Sequence, residues 1–162
     1  MASGLKNLSD FSHIEVKSAT GFHFGIIVAQ WNAAITGALL NGAIAGLIKH
    51  GASEDYITVV EVPGSYELIT GADIILRDSK FDAVICLGCV IQGETRHFDF
   101  ICDAVANGIS NVSIKYNKPV IFGVLTTDNQ QQAIDRAGGI HGNKGEEAAI
   151  TAIQMAYIHK TF

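Results

Sequence analysis

Charge is scarce in this chain, and arginine is scarcer still. Asp, Glu, Lys and Arg make up 17% of the 162 residues, below the ~25% usual in soluble domains. Only Arg77, Arg96 and Arg136 are arginines, and they stand singly along the chain. With a net charge of −5 and no basic cluster to neutralise phosphodiesters, nucleic acid is not an expected partner. The three cysteines, Cys86, Cys89 and Cys102, cannot complete a disulfide framework, and no basic segment leads into an apolar signal core; the cytoplasm is the expected compartment. Residues 18–48 hold no charged side chain, but His23, Gln30, Asn32 and Asn41 interrupt the stretch and glycines divide it. A membrane-spanning helix is therefore not expected there.

Apolar residues are abundant instead. They form 48% of the chain and the mean hydropathy is +0.27, which excludes global disorder and predicts that surface is buried against further copies of the chain. The length is near the roughly 150 residues of one domain. The reading is a lead-in over 1–21, with room for an added edge strand, followed by a single domain over 22–162.

Short β-branched or wholly apolar runs alternate with helical patterns. Strands are expected at 22–29 (FHFGIIVA), 57–62, 83–91 (AVICLGCVI) and 120–125 (VIFGVL). Helices are expected at 33–49, with Ile35, Leu39, Ala43, Ile44 and Leu47 on one stripe, and at 66–76, 98–116, 130–137 and 145–160. The last opens with Glu146-Glu147, which suits its dipole. Repeating βα units predict an α/β fold, a flavodoxin-like three-layer α/β/α sandwich on a four-stranded parallel sheet. Ligands of such sheets bind beyond the carboxyl ends of the strands. That rule gathers 30–32, 63–67, 92–99 and 126–128 into one rim.

The richest loop is GCVIQGETRHFDF at 88–100. Gly93 lets a ligand approach the backbone, Thr95 offers a hydroxyl and an N–H to an anion, and His97 brings an imidazole, the side chain suited to proton transfer near neutral pH. A helix start carrying a surface histidine accounts for the same residues. AGGIHGNKGEE at 137–147, with Arg136 and Lys144, resembles an anion cradle that can hold a monophosphate, or a plain glycine-rich connector. It fails the Walker spacing. Cys86-Leu87-Gly88-Cys89 is formally C-x-x-C, but residues three apart on a strand face opposite ways, so both read as core cysteines, with Cys89 close to the rim. The remaining histidines show no ligand spacing and no metal is expected. Trp31 follows the first strand and can stack on a flat heterocycle, or serve as a core or interface aromatic. Glu67 can accept hydrogen bonds from a polyol or complement a helix dipole. Phe122, inside the fourth strand, reads as core.

Taken together, VPGSYEL (62–68), GCVIQGETRHFDF (88–100), FGVLTTDNQQQAIDRAG (122–138) and GNKGEEAA (142–149) resemble lumazine synthase, in order and at matching separations from about residue 22 onward. The resemblance implies a transferase of riboflavin biosynthesis. Such an enzyme condenses 5-amino-6-(D-ribitylamino)uracil with 3,4-dihydroxy-2-butanone 4-phosphate to 6,7-dimethyl-8-ribityllumazine, releasing phosphate and water, with no cofactor or metal.

By the same resemblance, Trp31 stacks on the pyrimidine, where the family often carries Phe. Ser65, Tyr66 and Glu67 bind the ribityl chain, and Cys89, Val90 and Ile91 face the pyrimidine edge. Glu94 and Thr95 lie beside the phosphate; the family often has a small residue in place of Glu94, whose carboxylate would repel phosphate unless its backbone faces inward. His97 transfers protons and Arg136 binds phosphate. Phe122 crosses a subunit boundary, against its reading as core, and Lys144 with Glu147 plays a supporting part. The family forms pentamers with active sites between neighbours, some closing into a 60-subunit icosahedral shell that encloses riboflavin synthase. The connector at 138–145 carries no insertion resembling that of shell-blocking members. A flavodoxin-like module that binds flavin or lumazine without turnover, and a purely structural shell protein, are the readings from other classes; neither needs His97 beside an anion site.

Overall fold

The computed structural model describes Phe11 and residues 15–162. Strands β1 (Phe24–Ala29), β2 (Ile57–Val62), β3 (Ala83–Ile91) and β4 (Val120–Thr127) form one parallel sheet in the order β2-β1-β3-β4. Between and after them run α1 (Ala33–Lys49), α2 (Leu68–Ile75), α3 (His97–Tyr116), α4 (Gln130–Arg136) and α5 (Lys144–Thr161). A 3-10 turn, Glu54–Tyr56, leads into β2.

The period-two alternation of a strand divides the core into two halves. Phe24, Ile26 and Val28 of β1, with Ala83, Ile85, Leu87 and Cys89 of β3, face Ile35, Leu39, Ala43 and Leu47 of α1 and the alanine-rich side of α5. Ile27, Ala29, Val84 and Cys86 point the other way, onto Leu68 and Ala72 of α2 and Val105, Ile109 and Val112 of α3. This is the expected α/β/α sandwich. Because β1 and β3 are covered on both faces, their sequences are apolar throughout. Each fully buried Ile or Phe there contributes roughly 1.5–3 kcal/mol. Cys86 and Cys89 fall in opposite halves of the core, as residues three apart on a strand must.

Helices α1 and α5 meet at close range because glycine faces the contact. A Cβ on Gly145 would stand 1.9 Å from the Leu39 carbonyl oxygen, and one on Gly46 would touch the Ala149 methyl at 3.1 Å. The start of α5 is pinned by Asn143. Its Oδ1 accepts from Gly145 N at 2.8 Å as an N-cap, while its Nδ2 donates to Ala38 O at 3.0 Å on α1.

Several expected boundaries move. The first strand begins at Phe24 rather than residue 22, although Phe22 is buried against the same core. Helix α2 begins at Leu68, after a turn made by Ser65, Tyr66 and Glu67, and α3 starts on His97 itself. Strand β4 runs on through Thr126 and Thr127, which were expected in the loop. The segment read as an anion cradle or a glycine-rich connector folds into a two-strand antiparallel hairpin, β5 (Ala137–Gly139) and β6 (Gly142–Asn143), in which Gly138 and Gly142 take positive φ values of 110° and 80°. Phe122 is not core: β4 is an edge strand, and Phe122 is 36% exposed on it. Of the lead-in, 1–10 and 12–14 lie outside the described residues, so the added edge strand largely does too; 15–21 contain no strand.

Candidate active site

The carboxyl ends of the four strands carry the loops that were expected to form a rim, and backbone hydrogen bonds join them in pairs. Gln30 N donates to Val62 O at 2.8 Å and Trp31 N to Pro63 O at 3.0 Å, tying the loop after β1 to the loop after β2. Gln92 N donates to Thr127 O at 2.8 Å, tying the loop after β3 to the end of β4.

Between these pairs lies a cavity of about 260 Å³ lined by Trp31, Asn32, Ser65, Tyr66, Cys89, Val90, Ile91, His97 and Ile101. Seven of these were expected at the site from sequence. Trp31 is 68% exposed, so it is not a core aromatic, and Tyr66 is half exposed beside it. Ser65 is buried because Gly88 leaves room for it: a Cβ there would stand 2.6 Å from Ser65 Oγ. Glu67 turns back, its Oε2 accepting from Gly64 N at 3.0 Å, so its carboxylate braces the Pro63-Gly64 turn. His97, the first residue of α3, and Ile101, one turn later, share a helix face. Burial holds the Cys89 thiol up at about 11 and the Cys86 thiol at about 12, so neither is a nucleophile at neutral pH. The indole of Trp31 and the end of β3 are two sides of this lining, and the His97 imidazole is a third.

Glu94 and Thr95 are exposed on the loop that leads into α3, next to Gly93, around whose missing side chain there is open space. Thr95 Oγ1 accepts from His97 N at 3.4 Å. That loop presents backbone and hydroxyl donors at a helix start.

Arg136, Lys144 and Phe122 do not line this cavity. Arg136, at the end of α4, lies 3.2 Å from Glu147 Oε1 and donates to His141 O. Lys144 lies 3.1 Å from Glu147 Oε2. The two cations read as an anion cradle are thus gathered around one carboxylate. Phe122 stands on the β4 edge. One copy of the chain therefore brings together the aromatic platform, the turn after β2, the end of β3 and His97, while its arginine, lysine and phenylalanine face elsewhere.

Sequence reasoning placed Asn32 and Gly64 in the rim without giving either a part in the site, and missed Ile101 as a lining residue. A Cβ on Gly64 would press into the Trp31 ring at 2.6 and 2.7 Å. The i, i+4 spacing from His97 is the signal that could have found Ile101. No local signal marked Gly64.

Residues 21–160 match the family model for 6,7-dimethyl-8-ribityllumazine synthase. The chain belongs to that family. It is 59% identical to the 6,7-dimethyl-8-ribityllumazine synthase of Cytophaga hutchinsonii over 155 residues, covering 96% of this chain and 97% of that one. The enzyme of the same name from Flavobacterium johnsoniae is 52% identical over 99% of this chain and 84% of its own length. That of Porphyromonas gingivalis is 47% identical over 99% of both. As a member of the lumazine synthase family the protein is an enzyme of the transferase class, in riboflavin biosynthesis. Among the described residues no helix is long and apolar enough to cross a membrane.

Proposed function

We propose that the protein condenses 5-amino-6-(D-ribitylamino)uracil with 3,4-dihydroxy-2-butanone 4-phosphate to 6,7-dimethyl-8-ribityllumazine, releasing phosphate and water, the penultimate step of riboflavin biosynthesis. The observation that carries this reading is the meeting of Trp31, Ser65, Tyr66, Cys89, Val90, Ile91 and His97 around one cavity in a chain of this family.

In this reading Trp31 stacks on the pyrimidinedione and the strand end Cys89-Val90-Ile91 meets its edge. Ser65, Tyr66 and Glu67 receive the ribityl chain. The substrate's own amine attacks the ketone, so no covalent enzyme intermediate is required. His97 moves protons during imine formation and ring closure, and holding the two substrates side by side supplies much of the acceleration. Backbone donors at Glu94 and Thr95 face the phosphate while the Glu94 carboxylate points outward, consistent with its exposure. Arg136 stabilises phosphate as it departs, and Lys144 supports it.

Because Arg136, Lys144 and Phe122 lie away from the cavity of their own chain, this reading completes each site with those residues from a neighbouring copy. The assembly proposed is a homopentamer with interface sites, built by a repeated head-to-tail contact. Exposed apolar side chains such as Phe100, Ile114 and Ile140 favour burial between copies. A 60-subunit shell enclosing riboflavin synthase is the larger form of the same proposal, and the cytoplasm its compartment. Residues 22–162 act as one domain.

The test is absorbance-monitored lumazine formation from both substrates, corrected for the uncatalysed rate. A saturable enzymatic rate, with the KM for the butanone phosphate raised in Arg136→Ala, supports the proposal. No excess rate, with tight binding of the amine or of riboflavin alone, replaces it by a binding module.

A further inference from the structure

Asn32 lines the cavity from an unusual backbone position. Its backbone is left-handed, φ 61° and ψ 42°, a conformation that costs most residues roughly 1–2 kcal/mol and asparagine less. It precedes α1 yet does not cap that helix with its side chain. Its carbonyl accepts from Ile35 N and Thr36 N, at 2.8 and 3.0 Å, and its carboxamide Nδ2 is aimed away from the helix, donating to Cys89 O at 3.0 Å.

That contact falls where strand pairing gives out. The β1–β3 register ends at Val28 opposite Leu87, and Cys89 lies two residues further on. The Asn32 side chain prolongs the attachment of the first loop to β3 beyond that point. On its other side the same loop is held by Trp31 N donating to Pro63 O at 3.0 Å, with the indole seated on Gly64. The aromatic platform and the end of β3 form two walls of the cavity, and the Asn32 side chain bridges the segments that bear them.

We propose that Asn32 is a positioning residue: its carboxamide clasps the β1–α1 turn to the Cys89 carbonyl and so fixes the width of the slot between the Trp31 indole and the end of β3. This rests on the reading above that a planar pyrimidinedione occupies the slot. The clasp acts on the pyrimidine amine and not on the phosphate substrate, because neither Glu94, Thr95 nor Arg136 is attached to it.

Asn32→Gly separates the clasp from the turn, since glycine takes the left-handed backbone freely but has no donor. In the full-length protein, Asn32→Gly is expected to raise the KM for the ribitylamino-pyrimidinedione about three- to tenfold, the usual worth of one hydrogen bond. The kcat and the KM for the butanone phosphate should stay within about twofold. The only tryptophan reports the slot without any substrate: acrylamide should quench Trp31 emission more strongly in Asn32→Gly than in the parent protein. Asn32→Asp keeps the turn but sets a carboxylate against a carbonyl, and should be at least as impaired as Asn32→Gly.

Parental KM and quenching in Asn32→Gly would reduce the residue to a turn-former and overturn the proposal. So would a fall in kcat with both KM values unchanged. If the parent protein forms no lumazine, the functional reading fails, and the quenching comparison alone still decides whether the clasp holds the indole.

Discussion

The Arg136 guanidinium and the Glu147 carboxylate face each other at 3.2 Å, with only 15% and 11% of their side chains exposed. Lys144 shares the same carboxylate, so two cations are offset by one anion before any ligand arrives. A phosphate entering beside Arg136 must divide the guanidinium with Glu147. Replacing Glu147 by Gln keeps the shape and removes the charge, which should strengthen inhibition by inorganic phosphate about fivefold, the effect of roughly 1 kcal/mol for one unit charge at 4 Å in a water-like medium. The same change takes the anion away from two part-buried cations and should lower stability by roughly 1–3 kcal/mol. Phosphate inhibition constants and thermal melts of parent and Glu147→Gln check both signs. Weaker inhibition would mean that Glu147 serves mainly to aim the guanidinium.

His97 lines the cavity while Arg136 does not, and this separation predicts complementation between variants. His97→Ala should slow turnover and Arg136→Ala should raise the KM for the butanone phosphate, each acting on a different half of a shared site. When the two variants are unfolded, mixed in equal amounts and refolded together, about a quarter of the head-to-tail interfaces should pair an intact His97 with an intact Arg136. Activity of the mixture above the mean of the two separate variants is the expected outcome. A strictly additive result would place both residues in one chain's site.

The fold was legible because the sheet is covered on both faces. A parallel strand between two helical layers has no polar side to alternate, so AVICLGCVI could hardly be anything else, and the stripe from Ile35 to Leu47 marked the buried side of α1. Phe122 misled for the same reason: it is apolar and lies in a strand, but that strand is an edge, and edge position is decided by strand order rather than by local composition. The hairpin of β5 and β6 was hidden because its glycines carry no side-chain periodicity to read.

The cavity was legible in part. Strand ends and motif residues pointed to Trp31, Ser65, Tyr66, Cys89, Val90, Ile91 and His97. The bond from Asn32 to Cys89 spans 57 positions, and the seat of Trp31 on Gly64 depends on an atom that glycine lacks. Neither leaves a trace in local sequence. Nor does one chain bring Arg136 to the cavity that His97 lines, so a reading of the motifs as one site had to come from the family rather than from spacing.

The thiols give a prediction in pH. Burial raises Cys86 and Cys89 from the ordinary 9.0 to about 12 and about 11. Below pH 9 both are protonated whether the chain is folded or not, and their burial is without penalty. Above it the unfolded chain loses these protons while the folded chain keeps them, so stability falls as pH rises from about 9 towards 11 and 12. Denaturant midpoints measured between pH 8 and pH 10.5 should decline, and less so in Cys86→Ala once its own loss of stability is subtracted. At pH 8 a thiol reagent should label the partly exposed Cys102 first, with all three reacting only after unfolding.

Glycine at the α1–α5 contact is a steric requirement that can be separated from helix propensity. Gly145 and Gly37 both lie in helices, α5 and α1, but a Cβ on Gly145 would overlap the Leu39 carbonyl whereas one on Gly37 meets nothing within 4 Å. Gly37→Ala should gain about 0.5–1 kcal/mol from the better helix former. Gly145→Ala places a methyl group against backbone, which cannot step aside as a flexible side chain would, and should lose roughly 1–3 kcal/mol or more. For a chain of this size each kcal/mol moves the melting temperature by about 2–4 °C, so the two variants should shift in opposite directions in a thermal melt. Equal shifts would mean that the helices part easily at Gly145, and the close approach of α5 to Leu39 would then not be what holds the Asn143 cap and the Lys144–Glu147 pair in place.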